Sequence, residues 1–165
     1  MAGFGVSNIN MSQCGTAPDL KSNSGIADAA PTRPRILLAD DHPEVLAEIG
    51  RRLAVECDVL GSATEGLALV QAASGLRPDA VISDISMPGL TGIEACRRIL
   101  QAGFSKNAIV LTMHGDPELI RIALEAGIRG YVLKVDAGEE LISAVKTVLL
   151  GKTYLSRSLS KKRAS

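Results

Sequence analysis

Five short apolar runs constrain the fold of this chain more than any other feature of its sequence. They occupy residues 35–40, 59–62, 80–84, 108–112 and 130–134. None alternates apolar with polar residues, which is typical of strands buried on both faces of a parallel sheet. Segments with helical spacing of apolar residues separate the runs. The pattern predicts an α/β fold, a doubly wound parallel sheet of five strands with five helices and the flavodoxin-like order 2-1-3-4-5.

The residues on either side of this alternation have a different composition. Residues 1–33 are rich in Gly, Ser, Asn, Ala and Pro, so we expect a disordered leader. Residues 34–151 form the predicted domain, and residues 152–165 a basic, solvated C-terminal tail. The leader lacks the pattern of a signal peptide, and no apolar run approaches the roughly 20 residues that a membrane span needs.

Charge and cysteine content narrow the class of protein further. Acidic and basic residues number 18 each, so no overall field attracts the chain to nucleic acid or to a membrane. The three cysteines, Cys14, Cys57 and Cys96, form neither a zinc motif nor a disulfide framework. We therefore expect a cytoplasmic protein.

The residues that end the apolar runs carry the chemistry. Asp40 and Asp41 end the first run, Asp84 the third, Thr112 the fourth and Lys134 the fifth. Each alone is ordinary: a capping or turn aspartate, a strand threonine, a surface lysine. In a doubly wound sheet, however, ligands bind at the carboxyl ends of the strands, where these side chains would meet.

Three adjacent carboxylates repel one another and favour a compensating divalent cation. Mg²⁺ suits such a site, because it takes few carboxylates and shares its other positions with water and phosphate oxygens. A carboxylate can also accept a phosphoryl group, a reaction that needs mainly positioning and charge neutralisation. The set therefore predicts phosphorylation of one of the three aspartates.

Four motifs resemble the response regulator receiver family of two-component systems. They are ILLADDHP (36–43), VISDISMPGLTG (81–92), IVLTMH (109–114) and AGIRGYVLK (126–134), and the resemblance covers residues 34–151. It implies that Asp84 is the phosphoacceptor. It also implies that Asp40, Asp41, Asp84 and the backbone carbonyl of Ser86 hold Mg²⁺.

The resemblance assigns roles to three further residues. Thr112 matches the hydroxyl residue that moves towards the phosphoryl group, Lys134 its charge partner, and Tyr131 the aromatic that changes rotamer with it. The implied partners are a sensor histidine kinase or phosphotransfer protein and an unknown downstream protein. A homodimer that forms on phosphorylation is also expected, with no activity as an enzyme beyond slow autodephosphorylation.

The sequence around Lys134 and residues 151–156 resembles the branch that usually carries a LuxR-type helix-turn-helix. The chain stops at Ser165, so we expect no recognition helix within it and no direct contact with nucleic acid.

Three alternatives stay open at this point. The chain could be the receiver part of a longer DNA-binding regulator, or a receiver fold that only binds partners. A Mg²⁺-dependent phosphohydrolase of the haloacid dehalogenase type would also use a strand-end Asp. Such enzymes want a second Asp two residues on, where this chain has Ser86.

Overall fold

The structure is a computed structural model that describes residues 33–164 of the chain. Its strands are β1 (Arg35–Ala39), β2 (Asp58–Ala63), β3 (Ala80–Asp84), β4 (Ala108–Thr112), β5 (Gly130–Leu133) and β6 (Tyr154–Leu155). Its helices are α1 (Pro43–Leu53), α2 (Gly66–Leu76), α3 (Gly92–Ala102), α4 (Pro117–Glu125), α5 (Lys134–Leu149) and α6 (Arg157–Ala164). The predicted leader, apart from Arg33, lies outside the described residues, as does Cys14.

All of these strands pair in parallel and form one sheet, in the order β2-β1-β3-β4-β5-β6. The predicted order of the first five strands is confirmed. The prediction of five strands and five helices is wrong, because residues 154–164, here called the C-terminal segment, add β6 and α6. The chain order reverses between β1 and β3, and ligands bind beside such a reversal in doubly wound sheets.

Two apolar layers cover the sheet, which explains why its strands lack polar alternation. Ile36 and Leu38 of β1 belong to the layer formed with α1 and α5. Leu37, between them, belongs to the opposite layer with α2, α3 and α4. Since successive strand residues point to opposite faces, both sets must be apolar for the strand to be buried.

The C-terminal segment packs against the domain rather than extending into solvent. Its strand adds to the edge of β5, where the Ser156 backbone N–H donates to the Tyr131 carbonyl oxygen at 3.0 Å. Leu159 of α6 is only 1% exposed. The high basic content of residues 152–165 predicted solvation, but a single buried leucine and the free edge of β5 outweigh that tendency.

In the described part of the chain, no helix is both long enough and apolar enough to cross a membrane.

Candidate functional site

The side chains predicted from the strand ends lie together at one edge of the sheet. Asp40 directly follows β1, while Asp84 and Thr112 are the last residues of β3 and β4. Lys134 was predicted to end a strand, but it is the first residue of α5, directly after β5. Because β1, β3, β4 and β5 are neighbours and parallel, their carboxyl ends meet, as the sequence predicted.

The ammonium group of Lys134 lies between two buried carboxylates. Its Nζ is 2.8 Å from Asp40 Oδ2 and 3.4 Å from Asp84 Oδ2. Asp40 is 1% exposed and Asp84 is 5% exposed. Buried charges need a partner of opposite sign. Here one lysine contacts two carboxylates, so Asp40 and Asp84 together carry more negative charge than Lys134 can neutralise.

A close approach of two backbone segments holds Asp84 in place. A Cβ built on Gly92 would lie 1.8 Å from the carbonyl oxygen of Asp84, so only glycine fits there without a backbone shift. The Gly92 backbone N–H donates to the Ile85 carbonyl oxygen at 2.9 Å, and the Ser83 hydroxyl donates to the Asp84 carbonyl oxygen at 2.9 Å. The turn after β3 is therefore tied to the start of α3.

The electrostatics of the site follow from burial and from the shared lysine. Burial raises the pKa of the Asp84 carboxyl, and the charge of Asp40 raises it further, while Lys134 acts in the opposite direction. Burial lowers the pKa of Lys134, but the two carboxylates outweigh it and the net shift is upward. Lys134 is thus a fixed positive charge, and Asp84 is an acid that additional positive charge would stabilise in its ionised form.

His42 also lies at the site, although it was not among the residues predicted to form it. Its Nδ1 lies 3.1 Å from Asp40 Oδ1 and 2.9 Å from Asp41 Oδ1. The hydrogen bond with Asp40 and the charge of Asp41 raise the pKa of this imidazole. Its position directly after Asp40 and Asp41 was the feature of the sequence that could have predicted this contact.

The acidic pocket has the composition of a metal site. Asp40, Asp41, His42 and Asp84 each present one ligand atom, and these atoms lie within 4.8 Å of one another. Carboxylate oxygens are the donors that hard divalent cations prefer. A cation would also supply the positive charge that Asp40 and Asp84 lack. The described residues therefore fit a divalent metal ion.

Thr112 and Tyr131 lie beside this pocket, in neighbouring strands. The Thr112 hydroxyl accepts a hydrogen bond from the backbone N–H of His114 and donates to its carbonyl oxygen, each at 3.2 Å. Tyr131 is 1% exposed, and its hydroxyl has no hydrogen-bond partner among the described residues. Burial raises the pKa of Tyr131. The Thr112 hydroxyl is thus bonded to the loop that follows β4, not to the acidic pocket.

Comparison with known proteins shows which protein family this chain resembles. A sequence model of the response regulator receiver domain matches residues 36–146. The transcriptional regulatory protein DesR of Bacillus subtilis is 37% identical over 126 residues, 75% of this chain and 62% of DesR. The response regulator GacA of Pseudomonas aeruginosa is 35% identical over 133 residues, 79% of this chain and 62% of GacA. The chain spans about three fifths of the length of such relatives.

Solved structures give the same result. A LuxR-family two-component response regulator from Aurantimonas is 31% identical, with a TM-score of 0.70 over 81% of this chain and all of that one. The isolated receiver domain of RcsB from Salmonella enterica, solved with the phosphomimetic BeF3⁻, is 31% identical, with a TM-score of 0.71 over 79% and 98%. An RcsB–DNA complex matches with a TM-score of 0.71 and 31% identity, over 79% of this chain and 67% of RcsB. The fold, the strand-end residues and these matches agree: the chain belongs to the response regulator receiver domain family of two-component systems.

Proposed function

We propose that Asp84 accepts a phosphoryl group from a sensor histidine kinase or phosphotransfer protein, and that this modification switches the binding of a partner protein. The observation that carries the proposal is the position of Asp84, buried at a strand end with its pKa raised and Lys134 Nζ 3.4 Å away. In the transfer, the bond from phosphorus to the donor histidine nitrogen breaks. A new bond forms between phosphorus and an Asp84 carboxylate oxygen.

In this proposal, the acidic pocket binds the cation that the reaction needs. Asp40, Asp41, Asp84 and the backbone carbonyl of Ser86 would hold Mg²⁺, whose role when bound is to neutralise charge on the phosphoryl oxygens. Lys134 provides the second positive charge and already contacts both buried acids. Slow loss of the phosphate to water is the only hydrolytic activity that we assign.

Thr112 and Tyr131 are the residues that we propose respond to the new charge. The Thr112 hydroxyl would exchange its bonds with His114 for a bond to a phosphoryl oxygen, since anionic acceptors bind more strongly than neutral ones. Tyr131, whose hydroxyl is buried without a hydrogen-bond partner among described residues, would then repack. Such a local charge change biases packed elements between two arrangements.

The proposal also includes a cellular location and a binding partner. A cytoplasmic location is consistent with cysteines that form no disulfide framework. The switched state would bind an unidentified protein or a second copy of the chain.

A second proposal is that the chain acts as the receiver part of a longer DNA-binding regulator. The relatives are longer than this chain, and RcsB has been solved in complex with DNA. Reading the coding region around the gene tests this directly: a helix-turn-helix in the same frame supports it, and a stop codon after Ser165 with no such segment contradicts it.

The experiment that tests phosphorylation is intact-mass measurement after incubation with acetyl phosphate, with and without Mg²⁺. We expect a single base-labile phosphate on the wild type only when Mg²⁺ is present, and none on Asp84→Asn. Asp58→Asn, which removes an exposed carboxylate at the amino end of β2, is the matched control and should be phosphorylated normally.

Two outcomes would overturn the proposal. A phosphate retained by Asp84→Asn would place the acceptor elsewhere. Rapid, repeated hydrolysis of a small phosphoester by the wild type would favour a phosphohydrolase, against which Ser86 stands where such enzymes carry aspartate.

A further inference from the structure

The C-terminal segment contacts three elements that adjoin the candidate site. It pairs with β5, which carries Tyr131, and it touches the loop that follows Thr112. It is also bonded to α5, which begins at Lys134. No role was assigned to this segment by the sequence, and the proposed phosphorylation chemistry does not use it.

The first contact is a main-chain pairing beside the site. The Tyr154 backbone N–H donates to the Arg129 carbonyl oxygen at 2.8 Å, and Ser156 to that of Tyr131 at 3.0 Å. The Ser156 hydroxyl, fully buried, accepts a hydrogen bond from the backbone N–H of Leu133 at 3.0 Å. Leu133 directly precedes Lys134, so the segment holds the peptide from which the site lysine extends.

The second contact is a leucine seated against a glycine. Leu159 is 1% exposed and belongs to the same apolar cluster as Tyr131. A Cβ built on Gly115 would lie 2.1 Å from Leu159 Cδ2, so the leucine occupies the space that a side chain at Gly115 would need. Gly115 follows His114, whose backbone N–H and carbonyl both bond to the Thr112 hydroxyl.

The third contact is polar and anchors the segment to α5. Glu140, 4% exposed, accepts from the Tyr154 hydroxyl at 2.8 Å, from Arg157 Nε at 2.8 Å and from the Arg157 backbone N–H at 3.1 Å. The Ser158 hydroxyl bonds to Asp136 Oδ1 at 3.1 Å. These bonds keep one end of the segment fixed while Leu159 reaches the loop after Thr112.

From these contacts we infer that residues 154–164 are a latch, docked in the unphosphorylated protein and loosened when Asp84 is phosphorylated. The inference rests on the proposed function. When the Thr112 hydroxyl leaves His114 for a phosphoryl oxygen, the loop loses two hydrogen bonds beside the Leu159 seat. Because packed contacts have discrete arrangements, a shift of this loop unseats the leucine.

The test is hydrogen–deuterium exchange of the full chain with Mg²⁺, in the presence and absence of beryllofluoride as a stand-in for the phosphoryl group. We expect the amides of Tyr154, Ser156 and Leu159 to exchange about tenfold faster with beryllofluoride, a factor typical of coupling between sites. Amides within α2, remote from the segment, should not change and report that the domain stays folded.

Two glycine variants sharpen the test. Gly115→Ala should displace Leu159 and raise exchange in the segment without beryllofluoride, since the added methyl needs the space of Leu159 Cδ2. Gly75→Ala is the matched control, because nothing lies within 4 Å of a Cβ at that position. By reciprocity, Leu159→Ala should bind beryllofluoride several-fold more tightly than the wild type.

The outcomes separate this inference from the function on which it rests. If beryllofluoride binds and Asp84 is phosphorylated while exchange in the segment is unchanged or slower, the latch is wrong and the receiver function stands. If neither adduct forms on the folded protein, both proposals fail together.

Discussion

The molecule contains two buried carboxylates that are almost equally shielded from water, Asp84 in the candidate site and Glu140 beneath the C-terminal segment. Their pKa values nevertheless shift in opposite directions. The two residues are 5% and 4% exposed. Burial raises the pKa of both, but hydrogen bonds from Arg157 and Tyr154 outweigh it for Glu140, whose net pKa is lowered. Asp84 shares a single lysine with Asp40, and its net pKa is raised. Burial alone therefore does not distinguish Glu140, an anchoring acid, from Asp84, the proposed acceptor; the number of hydrogen-bond donors around each carboxylate does.

The difference has a functional meaning. Glu140 has three protein hydrogen bonds and little need of another ligand. Asp84 is held in place by its backbone, and its carboxylate shares Lys134 with Asp40. The proposed cation and phosphoryl group would therefore be added at an acid that is short of positive charge.

The largest effect is expected for Glu140→Ala. The substitution removes the acceptor of three hydrogen bonds and should lower the free energy of unfolding by about 2–3 kcal/mol, after allowing for the solvent exposure of Arg157. Urea denaturation measures the change. Glu139→Ala, which removes an exposed neighbour that also pairs with Arg157, should have a much smaller effect. Equal losses in the two variants would contradict the anchor role of Glu140.

A change of opposite sign is expected for Asp84→Asn. The amide removes the repulsion between two buried acids and should raise the free energy of unfolding by on the order of 1 kcal/mol. The same denaturation series measures it in the absence of divalent cations. A destabilised Asp84→Asn protein would mean that Lys134 compensates both acids fully.

The two acids should also give the stability opposite dependences on pH. The lowered pKa of Glu140 contributes stability that is present above its usual 4.5 and is lost as the pH falls through the folded value. The raised pKa of Asp84 has the opposite effect. The loss of stability that it causes grows as the pH rises from the ordinary pKa of 3.8 through the pKa of the folded protein. We expect the stability advantage of Asp84→Asn over the wild type to shrink as the pH falls from 7 towards 4.

Glu140→Gln completes the pH experiment. Denaturation midpoints for this variant should approach those of the wild type as the pH falls below 4.5, because the unfolded wild-type chain then takes up a proton at Glu140 before the folded protein does. A constant difference over this range would show that the Glu140 charge does not contribute.

The smallest effect is expected for Ser158→Ala. The Ser158 hydroxyl makes one bond to Asp136, so its removal should cost less than about 1 kcal/mol. Exchange of the Leu159 amide should increase slightly while urea denaturation barely changes. A loss of unfolding free energy as large as that of Glu140→Ala would mean that the contact with Asp136, and not Glu140, holds the segment in place.

The sequence predicted the sheet and the site because both depend on local patterns. Unbroken apolar runs predicted the strands. The residues that end these runs predicted that Asp40, Asp84 and Thr112 meet at one edge of the sheet. The choice of Asp84 as the proposed phosphoacceptor followed only from the resemblance to a family. The contact of His42 with both acids needed the backbone turn that returns its imidazole to them.

The C-terminal segment could not be predicted in the same way. Its strand has two residues, and its helix places Leu159 in the core. What holds it is the edge of β5 and the buried Glu140, both distant in sequence. The number of strands was therefore wrong by one, since neither periodicity nor composition reports a non-local edge.

The approach of Gly92 to the Asp84 carbonyl has a consequence for mutational libraries of this domain. The atom nearest to a Cβ at position 92 would be the main-chain carbonyl oxygen of Asp84, which cannot move aside as the end of a flexible side chain can. Every substitution there should score as inactive in a selection, whatever its charge, polarity or size. A position with so flat a profile would be mistaken for part of the chemistry, although it only supports the backbone at Asp84, the proposed acceptor.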